Sequence, residues 1–287
     1  MEVHVQMKPE LKRELKDFAL QIRIACLEEL KSLGFGHVGG SLSITDVLAV
    51  LYGSVMKIDP KNPSWPERDK LVCSKGHAGP AVYATLALKG YFPQDMLSTL
   101  NKPGTSLPSH CDRNKTPGID MTTGSLGQGT SLAVGLALGD QLKGRGNRVF
   151  LITGDGELNE GQVWEAATFA AARKVNNLIW FIDDNKKQLD GPTDVILPQG
   201  DIAAKFEAFG FDTQHIPGND IEAIYEAIER TAAVTDKPHA IVLDTIKGAG
   251  VKAIEETLNN HSMAVKADVF DSWIEGVKAD LAALRAE

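Results

Sequence analysis

The sequence predicts a doubly wound α/β fold, with a mainly parallel sheet that is covered by helices on both faces. Short apolar runs alternate with helical segments through the second half of the chain. The runs are apolar at nearly every position, as strands are when both faces of a parallel sheet are buried. Right-handed crossovers place the carboxyl ends of such strands along one edge, where ligands bind in open α/β sheets.

The N-terminal part is predicted to contain an amphipathic helix, a glycine-rich loop, a second helix and a first buried strand. These segments cover residues 9–33, 34–43, 45–56 and 70–73. Ser43 or Thr45 is expected to cap the second helix, because a hydroxyl oxygen can accept a bond from a free amide of the first turn. The strand leads into Ser74-Lys75-Gly76-His77 and so delivers polar residues to the edge of the sheet.

The rest of the chain continues the alternation of helices and strands. Strands are predicted at residues 149–152, 178–182, 211–216 and 240–245. Helices are predicted at residues 129–143, 162–174, 201–209 and 220–233, with a last one beginning near residue 264. Because no repeat or linker interrupts this order, we predict one domain over residues 1–287, with a C-terminal helical extension.

Composition excludes several classes of protein. The formal net charge of -8 argues against a nucleic-acid-binding surface, which needs a basic excess to neutralise phosphates. The N-terminus lacks the apolar core of a secretion signal, and no stretch approaches the roughly 20 apolar residues that cross a bilayer. The three cysteines are too few for a disulfide framework. We therefore expect a soluble cytoplasmic protein that binds neither nucleic acid nor membrane.

Two strand ends carry the residues that predict a metal site. Gly154-Asp155-Gly156 ends one strand and Asn185 ends the next, one crossover later. Their oxygens would lie side by side and, with a nearby backbone carbonyl, would suit Mg²⁺ or Ca²⁺, while diphosphate oxygens and water fill the other positions. Gly154 and Gly156 let the backbone approach phosphate closely, and the helix expected after Gly156 would point its amide groups at the same anion.

Other patterns in the sequence carry no site. The glycines at 34, 36 and 39 match the dinucleotide-binding spacing, but they follow a helix instead of a strand, so we reject that reading. The run from His110 to Asp112 cannot wrap four ligands around zinc. His4, His215 and His239 stand in no motif and are interpreted as structural.

Four segments resemble the thiamine diphosphate-binding half of transketolases, known as the PP-type domain. They are GDGELNEGQVWEA, NLIWFIDDNKKQLDG, LVCSKGHA and TTGSLGQGTSLAVGLALG. The resemblance implies that thiamine diphosphate is held through Mg²⁺, or through Ca²⁺ or Mn²⁺ in its place. The implied metal ligands are Asp155, Asn185 and the carbonyl of Lys187. The implied contacts to the cofactor are His77, Gly124, Leu126, Gly154, Gly156, Asn185 and Leu189, although Leu126 and Leu189 are equally compatible with core positions.

The resemblance also implies catalytic roles for His37, His110 and His261. Here the sequence departs from the family, whose first and third histidines are usually followed by proline, whereas Val38 and Cys111 follow them in this chain. His261 lies between Asn260 and Ser262, where related short subunits tend to have an aromatic residue and a glycine. All three departures fall on the sugar side of the site. The cofactor is therefore better supported than the usual donor sugar.

Glu160 and Glu165 match acidic positions that link two active sites across a subunit contact in this family, unless they are simply solvated helix carboxylates. The family's cofactor-activating glutamate belongs to a second, pyrimidine-binding domain that this sequence does not contain. We therefore expect a two-chain transketolase, most simply an α2β2 assembly, in which a partner subunit supplies the pyrimidine-binding and C-terminal domains.

This enzyme would transfer a two-carbon ketol unit from a ketose phosphate to an aldose or its phosphate. The alternatives are the α chain of another thiamine diphosphate enzyme, such as a 2-oxo acid dehydrogenase, and a non-catalytic diphosphate-binding module.

Overall fold

The computed structural model describes residues 7–287, so His4 lies outside the described residues. The α-helices, numbered α1–α11, span Pro9–Leu33, Val38–Leu42, Thr45–Val50, Gly79–Leu88, Gln128–Leu142, Gly161–Ala172, Thr193–Ile196, Ile202–Phe209, Ile221–Arg230, Lys252–Glu255 and Ala267–Ala286. The strands, numbered β1–β9, span Phe35–Gly36, Lys70–Cys73, Val149–Gly154, Leu178–Asp184, Lys187–Gln188, Gly191–Pro192, Asp212–Pro217, His239–Asp244 and Met263–Ala264.

Five strands form one sheet in the order β2-β3-β4-β8-β7, and every neighbouring pair is parallel. The pairs β1-β9 and β5-β6 form two short antiparallel ribbons. The polar groups that follow β2, β3, β4 and β8 therefore share one edge of the main sheet. The predicted parallel sheet is confirmed.

Alternate residues of the central strands enter two separate cores. Phe150 and Phe181 pack in the core that includes α1, α3, α4, α9 and α11. Leu151 and Trp180 pack in the other core, against α5, α6 and α8. Because successive side chains of a strand point to opposite faces, this division confirms that helices cover both faces of the sheet.

The strand β7 differs from the expected apolar run because it lies at the edge of the sheet. Its residues Asp212, Thr213 and Gln214 are half-buried and His215 is exposed. An edge strand has a neighbour on one side only, so polar side chains remain accessible to solvent.

The expected cap of the second helix is wrong. The residue before α3 is Ile44, and no side chain caps this end. The expected glycine-rich loop instead contains the short helix α2, and Thr45 donates its hydroxyl to the carbonyl of Leu42 at the end of it. Ser43 donates to Asp183 Oδ2 at 2.7 Å and so belongs to the edge of the sheet.

The segment Val38–Val55 is long and apolar enough to cross a membrane, contrary to the expectation that no stretch approaches this length. In the described fold, however, 83% of it is buried. It is covered mainly by α1 and α4, as a core helix is.

Candidate active site

A cavity of about 300 Å³ opens at the carboxyl ends of the central strands. Ten residues predicted from the sequence line it: His77, Leu126, Gly154, Asp155, Gly156, Glu160, Asn185, Lys187, Leu189 and His261. Their segments lie far apart in the chain and meet because parallel strands end at the same edge. His37, His110, Gly124 and Glu165 do not line this cavity.

Asp155 and Asn185 lie on neighbouring strand ends, as the sequence predicts. Gly154 pairs with Asp183 in the sheet, and the amide of Asp155 donates to the carbonyl of Asp183 at 3.1 Å. The Asn185 amide nitrogen donates to Asp183 Oδ2 at 2.7 Å. Its oxygen Oδ1 accepts the backbone amide of Lys187 at 3.2 Å and keeps a second lone pair for a cation. The site thus offers a carboxylate and an amide oxygen, both buried.

The carbonyl of Lys187, the third implied metal ligand, accepts a hydrogen bond from Lys247 Nζ at 2.8 Å. A carbonyl oxygen has two lone pairs, so one remains for a cation. Within residues 7–287 no group of three or more His, Cys, Asp or Glu is placed to hold a metal. A set of one carboxylate, one amide oxygen and one carbonyl is instead the hard-oxygen chemistry that Mg²⁺ accepts when phosphate and water complete its shell.

Positive charge lies beside these oxygens. The Lys75 ammonium is 1% exposed, forms a 2.6 Å ion pair with Asp183 and donates to the carbonyl of Gly40. Burial, with the nearby Lys75, lowers the pKa of Lys247 to about 8. Burial, with Asp183 close by, raises the pKa of Asp155 to about 7. A divalent cation between the acids and an anion beside the lysines would relieve both sets of desolvated charges.

Four of the predicted histidines form a cluster, with the other three rings around His37. The ring centre of His37 lies 5.2 Å from that of His77, 5.3 Å from His261 and 5.7 Å from His110. Burial lowers the pKa of His37 to about 4 and that of His261 to about 3, with the neighbouring Lys247 adding to the effect. These imidazoles are therefore neutral near pH 7 and can accept a proton.

The loop that carries Gly124 passes close to this cluster. A side chain at Gly124, where φ is 154°, would come within 3.3 Å of His110. A side chain at Gly76 would come within 2.8 Å of the Gly124 amide nitrogen. The two loops therefore pack backbone against backbone at the edge of the cavity.

Exposure at the rim decides one of the alternatives that the sequence left open, that of Leu189. Leu189 is 63% exposed beside the cavity, so it is not a core residue, whereas Leu126 is half-buried. Glu160 and Glu165 are both exposed. An exposed position is compatible with a subunit contact and with simple solvation alike.

The helix predicted from residue 162 is confirmed, but a short turn separates it from Gly156. Residues Gly156–Asn159 form a single 3₁₀ turn, and α6 begins only at Gly161. The side chain of Glu157 folds back into the site from this turn and accepts the amides of Gly127 and Gly154.

Four residues of the site were given no role by the sequence: Lys75, Glu157, Asp183 and Lys247. Lys75 and Asp183 belong to the recognised segments, but nothing in their spacing shows that they pair. Lys247 follows β8, and the strand order could have placed it here only if β8 were known to adjoin β4.

The rejected patterns stay outside the site. Gly34 ends α1 in a left-handed conformation with φ of 79°, so no strand precedes the glycine pattern. Cys111 is buried and free. His239 is buried against Asp212 at 2.9 Å, and His215 is exposed on the edge strand.

Comparison with known proteins identifies a family. Residues 15–277 match the family described as transketolase, thiamine diphosphate binding domain. The chain is 53% identical over 261 residues to the 6-deoxy-6-sulfo-D-fructose transketolase subunit SqwG of Clostridium sp. strain MSTE9, covering 91% of this chain and 95% of that protein. It is 40% identical over 265 residues to an apulose-4-phosphate transketolase subunit of Actinobacillus succinogenes, covering 92% and 95% respectively.

Solved structures show the same relationship. The Pichia stipitis transketolase in complex with sedoheptulose 7-phosphate superposes with a TM-score of 0.83 at 28% identity, covering 96% of this chain and 45% of that one. The Campylobacter jejuni transketolase gives a TM-score of 0.83 at 27% identity, covering 98% and 48%. The chain therefore belongs to the transketolase family and carries its thiamine diphosphate binding domain.

Proposed function

We propose that this chain is the cofactor-binding subunit of a two-chain transketolase that is active only with a partner subunit. The single observation that carries the proposal is the meeting of Asp155, Asn185 and Lys187 with His77 and His261 around one cavity. The subunit names of its relatives support the two-chain form. The partner would supply the pyrimidine-binding and C-terminal domains, in an α2β2 assembly.

We infer that Mg²⁺, or Ca²⁺ or Mn²⁺ in its place, is held by Asp155, Asn185 and the Lys187 carbonyl. Lys75 and Lys247 would offset the negative charge of the diphosphate, and His77 would donate a hydrogen bond to it. Gly156 brings its backbone to the cavity, while Gly124 and Leu126 approach from the α5 side. Leu189 would cover an apolar face of the cofactor, which explains an exposed leucine at the rim.

When bound, thiamine diphosphate supplies the carbanion that attacks a ketose carbonyl. The histidines of this chain would then handle protons. His37 and His261 are neutral and their ring centres lie 5.3 Å apart, so the two together can accept the proton of the hydroxyl that becomes the leaving aldehyde. His110 would hold the terminal hydroxyl of the donor by a hydrogen bond.

The substrate is proposed to be a specialised ketose. The two relatives compared above are named for 6-deoxy-6-sulfo-D-fructose and apulose 4-phosphate, and the first is 53% identical to this chain. We therefore propose a sulfonated ketose as the donor and an aldose phosphate as the acceptor, with ordinary ketose phosphates as the second choice. The family-atypical neighbours of His37, His110 and His261 lie on this side of the site.

We further propose that the protein works in the cytoplasm as one domain with a helical extension. All three cysteines are buried and free, and α11 packs along α1.

The test is to co-purify the chain with its partner and to measure uptake of thiamine diphosphate by calorimetry, with and without Mg²⁺. Two-carbon transfer is then measured with 6-deoxy-6-sulfofructose, fructose 6-phosphate and pyruvate as alternative donors. Asp155→Asn should abolish metal-dependent uptake. Asp244→Asn is the matched control, because Asp244 ends β8 at the same edge but is exposed.

No metal-dependent uptake by the complex would refute the proposal. Decarboxylation of pyruvate without ketol transfer would favour the 2-oxo acid enzymes instead. Uptake without turnover of any donor would favour a non-catalytic binding module.

A further inference from the structure

The Glu157 side chain lies at the point where three loops of the site meet. Its Oε1 accepts the hydroxyl of Ser74 and the amide of Gly127, the latter at 2.8 Å. Its Oε2 accepts the amide of Gly154 at 3.1 Å. Glu157 is only 2% exposed, so its carboxylate is hydrogen-bonded by these three donors and not by solvent.

Each of the three partners begins or ends a segment that reaches the cavity. Ser74 follows β2 and directly precedes Lys75, near His77. Gly127 follows Leu126 and stands at the start of α5 in a left-handed conformation with φ of 82°. Gly154 ends β3 and directly precedes Asp155. One carboxylate therefore connects the loop of Lys75 and His77, the loop of Leu126, and the strand end that carries the proposed metal ligand.

The loops around the Glu157 carboxylate are in close contact with each other. A side chain at Gly129 would lie 2.5 Å from the Ser74 hydroxyl, so α5 presses directly on that loop. A side chain at Gly127 would lie 2.9 Å from Glu160 Cβ. The loops touch at glycines, which have no side chains to pack. The distance between the loops is therefore fixed by their hydrogen bonds to Glu157.

We propose that Glu157 is a positioning residue that holds these three loops in the geometry required for cofactor binding. The inference rests on the proposed function, because it assigns a role toward the same cofactor. Two of the three partners are backbone amides, which can only donate, so the position needs an acceptor at both oxygens. A carboxylate meets this need and a carboxamide does not.

The test compares Glu157→Gln with a matched variant at the opposite end of the sheet. Asp69 is also buried, and it accepts the backbone amides of Lys57 at 3.0 Å and Arg148 at 2.7 Å. It also forms a 2.9 Å ion pair with the Arg148 guanidinium. In both Glu157→Gln and Asp69→Asn, the new NH₂ group faces a backbone N–H that needs an acceptor. Because Asp69→Asn also weakens an ion pair, it is expected to lose at least as much stability as Glu157→Gln, but only Glu157 lies beside the cavity.

Each variant is purified with the partner subunit, and its Kd for thiamine diphosphate is measured with saturating Mg²⁺. Glu157→Gln is expected to raise the Kd by about tenfold or more, the usual effect of removing a group that orients ligands. Asp69→Asn should leave the Kd within about twofold of wild type, and the ketose KM should change as little in both. A Kd unchanged in Glu157→Gln, or raised equally in Asp69→Asn, overturns the proposal.

Hydrogen exchange provides a readout that does not depend on the cofactor. In Glu157→Gln the amides of Gly127 and Gly154 should exchange faster, while in Asp69→Asn the faster amides should be those of Lys57 and Arg148. Uniform acceleration throughout the chain in Glu157→Gln would indicate a general loss of stability and overturn the positioning role.

If Glu157→Gln does not fold, Ser74→Ala carries the test, because it removes one donor and keeps the carboxylate. It should raise the Kd by a smaller factor and speed exchange of the Gly127 amide, and no change in either would overturn the proposal. Titration of the wild-type complex with thiamine diphosphate separates the proposed function from the proposed role of Glu157. Absence of uptake by wild type refutes the proposed function, whereas equal uptake by wild type and Glu157→Gln refutes only the role of Glu157.

Discussion

His37 reaches the histidine cluster without lining the cavity, so its role can be separated from cofactor binding. We expect His37→Ala to lower kcat by about 10²–10⁴-fold, the usual contribution of a positioned general base. The Kd for thiamine diphosphate should stay near that of wild type. Steady-state kinetics and calorimetry on the two-chain complex measure the two quantities.

The matched control for this prediction is His215→Ala, which removes an exposed histidine on the edge strand and should change neither quantity. A cofactor Kd that rises as steeply as kcat falls would contradict a proton-transfer role for His37.

Glu29 is a buried acid that the proposed mechanism does not use. It is 1% exposed on α1, and neither carboxylate oxygen has a hydrogen-bond partner within residues 7–287. Burial raises the pKa of Glu29 well above its ordinary value of 4.5. The folded chain therefore keeps this proton at pH values where the unfolded chain has lost it.

This difference predicts how stability depends on pH. Above pH 4.5 the unfolded chain binds fewer protons at this position than the folded chain, so Glu29 destabilises the fold increasingly as pH rises. The slope is up to about 1.4 kcal/mol per pH unit, until the folded carboxyl itself ionises. Glu29→Gln should remove this slope.

Urea unfolding of both proteins at several pH values between about 5 and 8 measures the effect, as a free-energy difference that widens with pH. Asp271→Asn, on the exposed surface of α11, serves as the control. Parallel curves for wild type and Glu29→Gln would show that Glu29 is already ionised in the folded chain.

At the scale of elements, α2 and the segment that carries His261 are joined by close backbone contact. The amide of Gly39 donates to the carbonyl of Asn260 at 3.0 Å, and the carbonyl of Gly39 accepts from Gly248 at 3.0 Å. A side chain at Gly39 would lie 2.4 Å from the Asn260 carbonyl. Backbone atoms cannot give way as a flexible side chain can.

Gly39→Ala is therefore expected to move the His261 segment away from α2. We predict a loss of stability of about 1–3 kcal/mol, as for other overpacked sites, together with a loss of transfer activity. Unfolding measurements and kinetics on the complex test this. Wild-type activity at full stability would contradict the contact.

The exposed face of α5 gives the opposite prediction. Gly135 is exposed in the helix interior, and a side chain there would meet nothing within 4 Å. Gly135→Ala should stabilise the chain without its partner by about 0.5–1 kcal/mol, because glycine is a poor helix former. If chemical unfolding showed a destabilisation instead, this helix face would not be open as described.

At the scale of the whole molecule, cofactor and metal are expected to stabilise the two-chain complex only together. Lys75 and Asp183 already pair with each other, whereas Asp155 and Lys247 form no ion pair within residues 7–287. Either ligand alone would leave one of these two buried charges uncompensated. With saturating Mg²⁺ and thiamine diphosphate at about 100 times its Kd under that condition, the gain should be about 2.7 kcal/mol.

Thermal unfolding of the complex with each ligand alone and with both measures this dependence. A chelator should return the melting temperature to that of the ligand-free complex, and excess Mg²⁺ should restore it. A full shift with thiamine diphosphate in the presence of chelator would show that no metal is required.

The sequence by itself determined the sheet, because strands buried on both faces are apolar throughout and stand out between helices. It also placed Asp155 and Asn185 on adjacent strand ends, because one crossover separates them. Its recognised segments contain nine of the ten predicted residues that line the cavity, and His261 is the tenth. Local signals were less reliable, as the missing cap at Thr45 and the 3₁₀ turn after Gly156 show.

Only the tertiary structure decided which charges meet. Lys75 pairs with Asp183 across 108 positions of the chain, and Lys247 reaches Lys187 across 60. Such partners depend on the order of strands in the sheet and on how the loops pack. No local pattern in the sequence indicates either of these. The three-way contact of Glu157 and the isolation of Glu29 arise in the same way, because burial and hydrogen bonding are properties of the assembled fold.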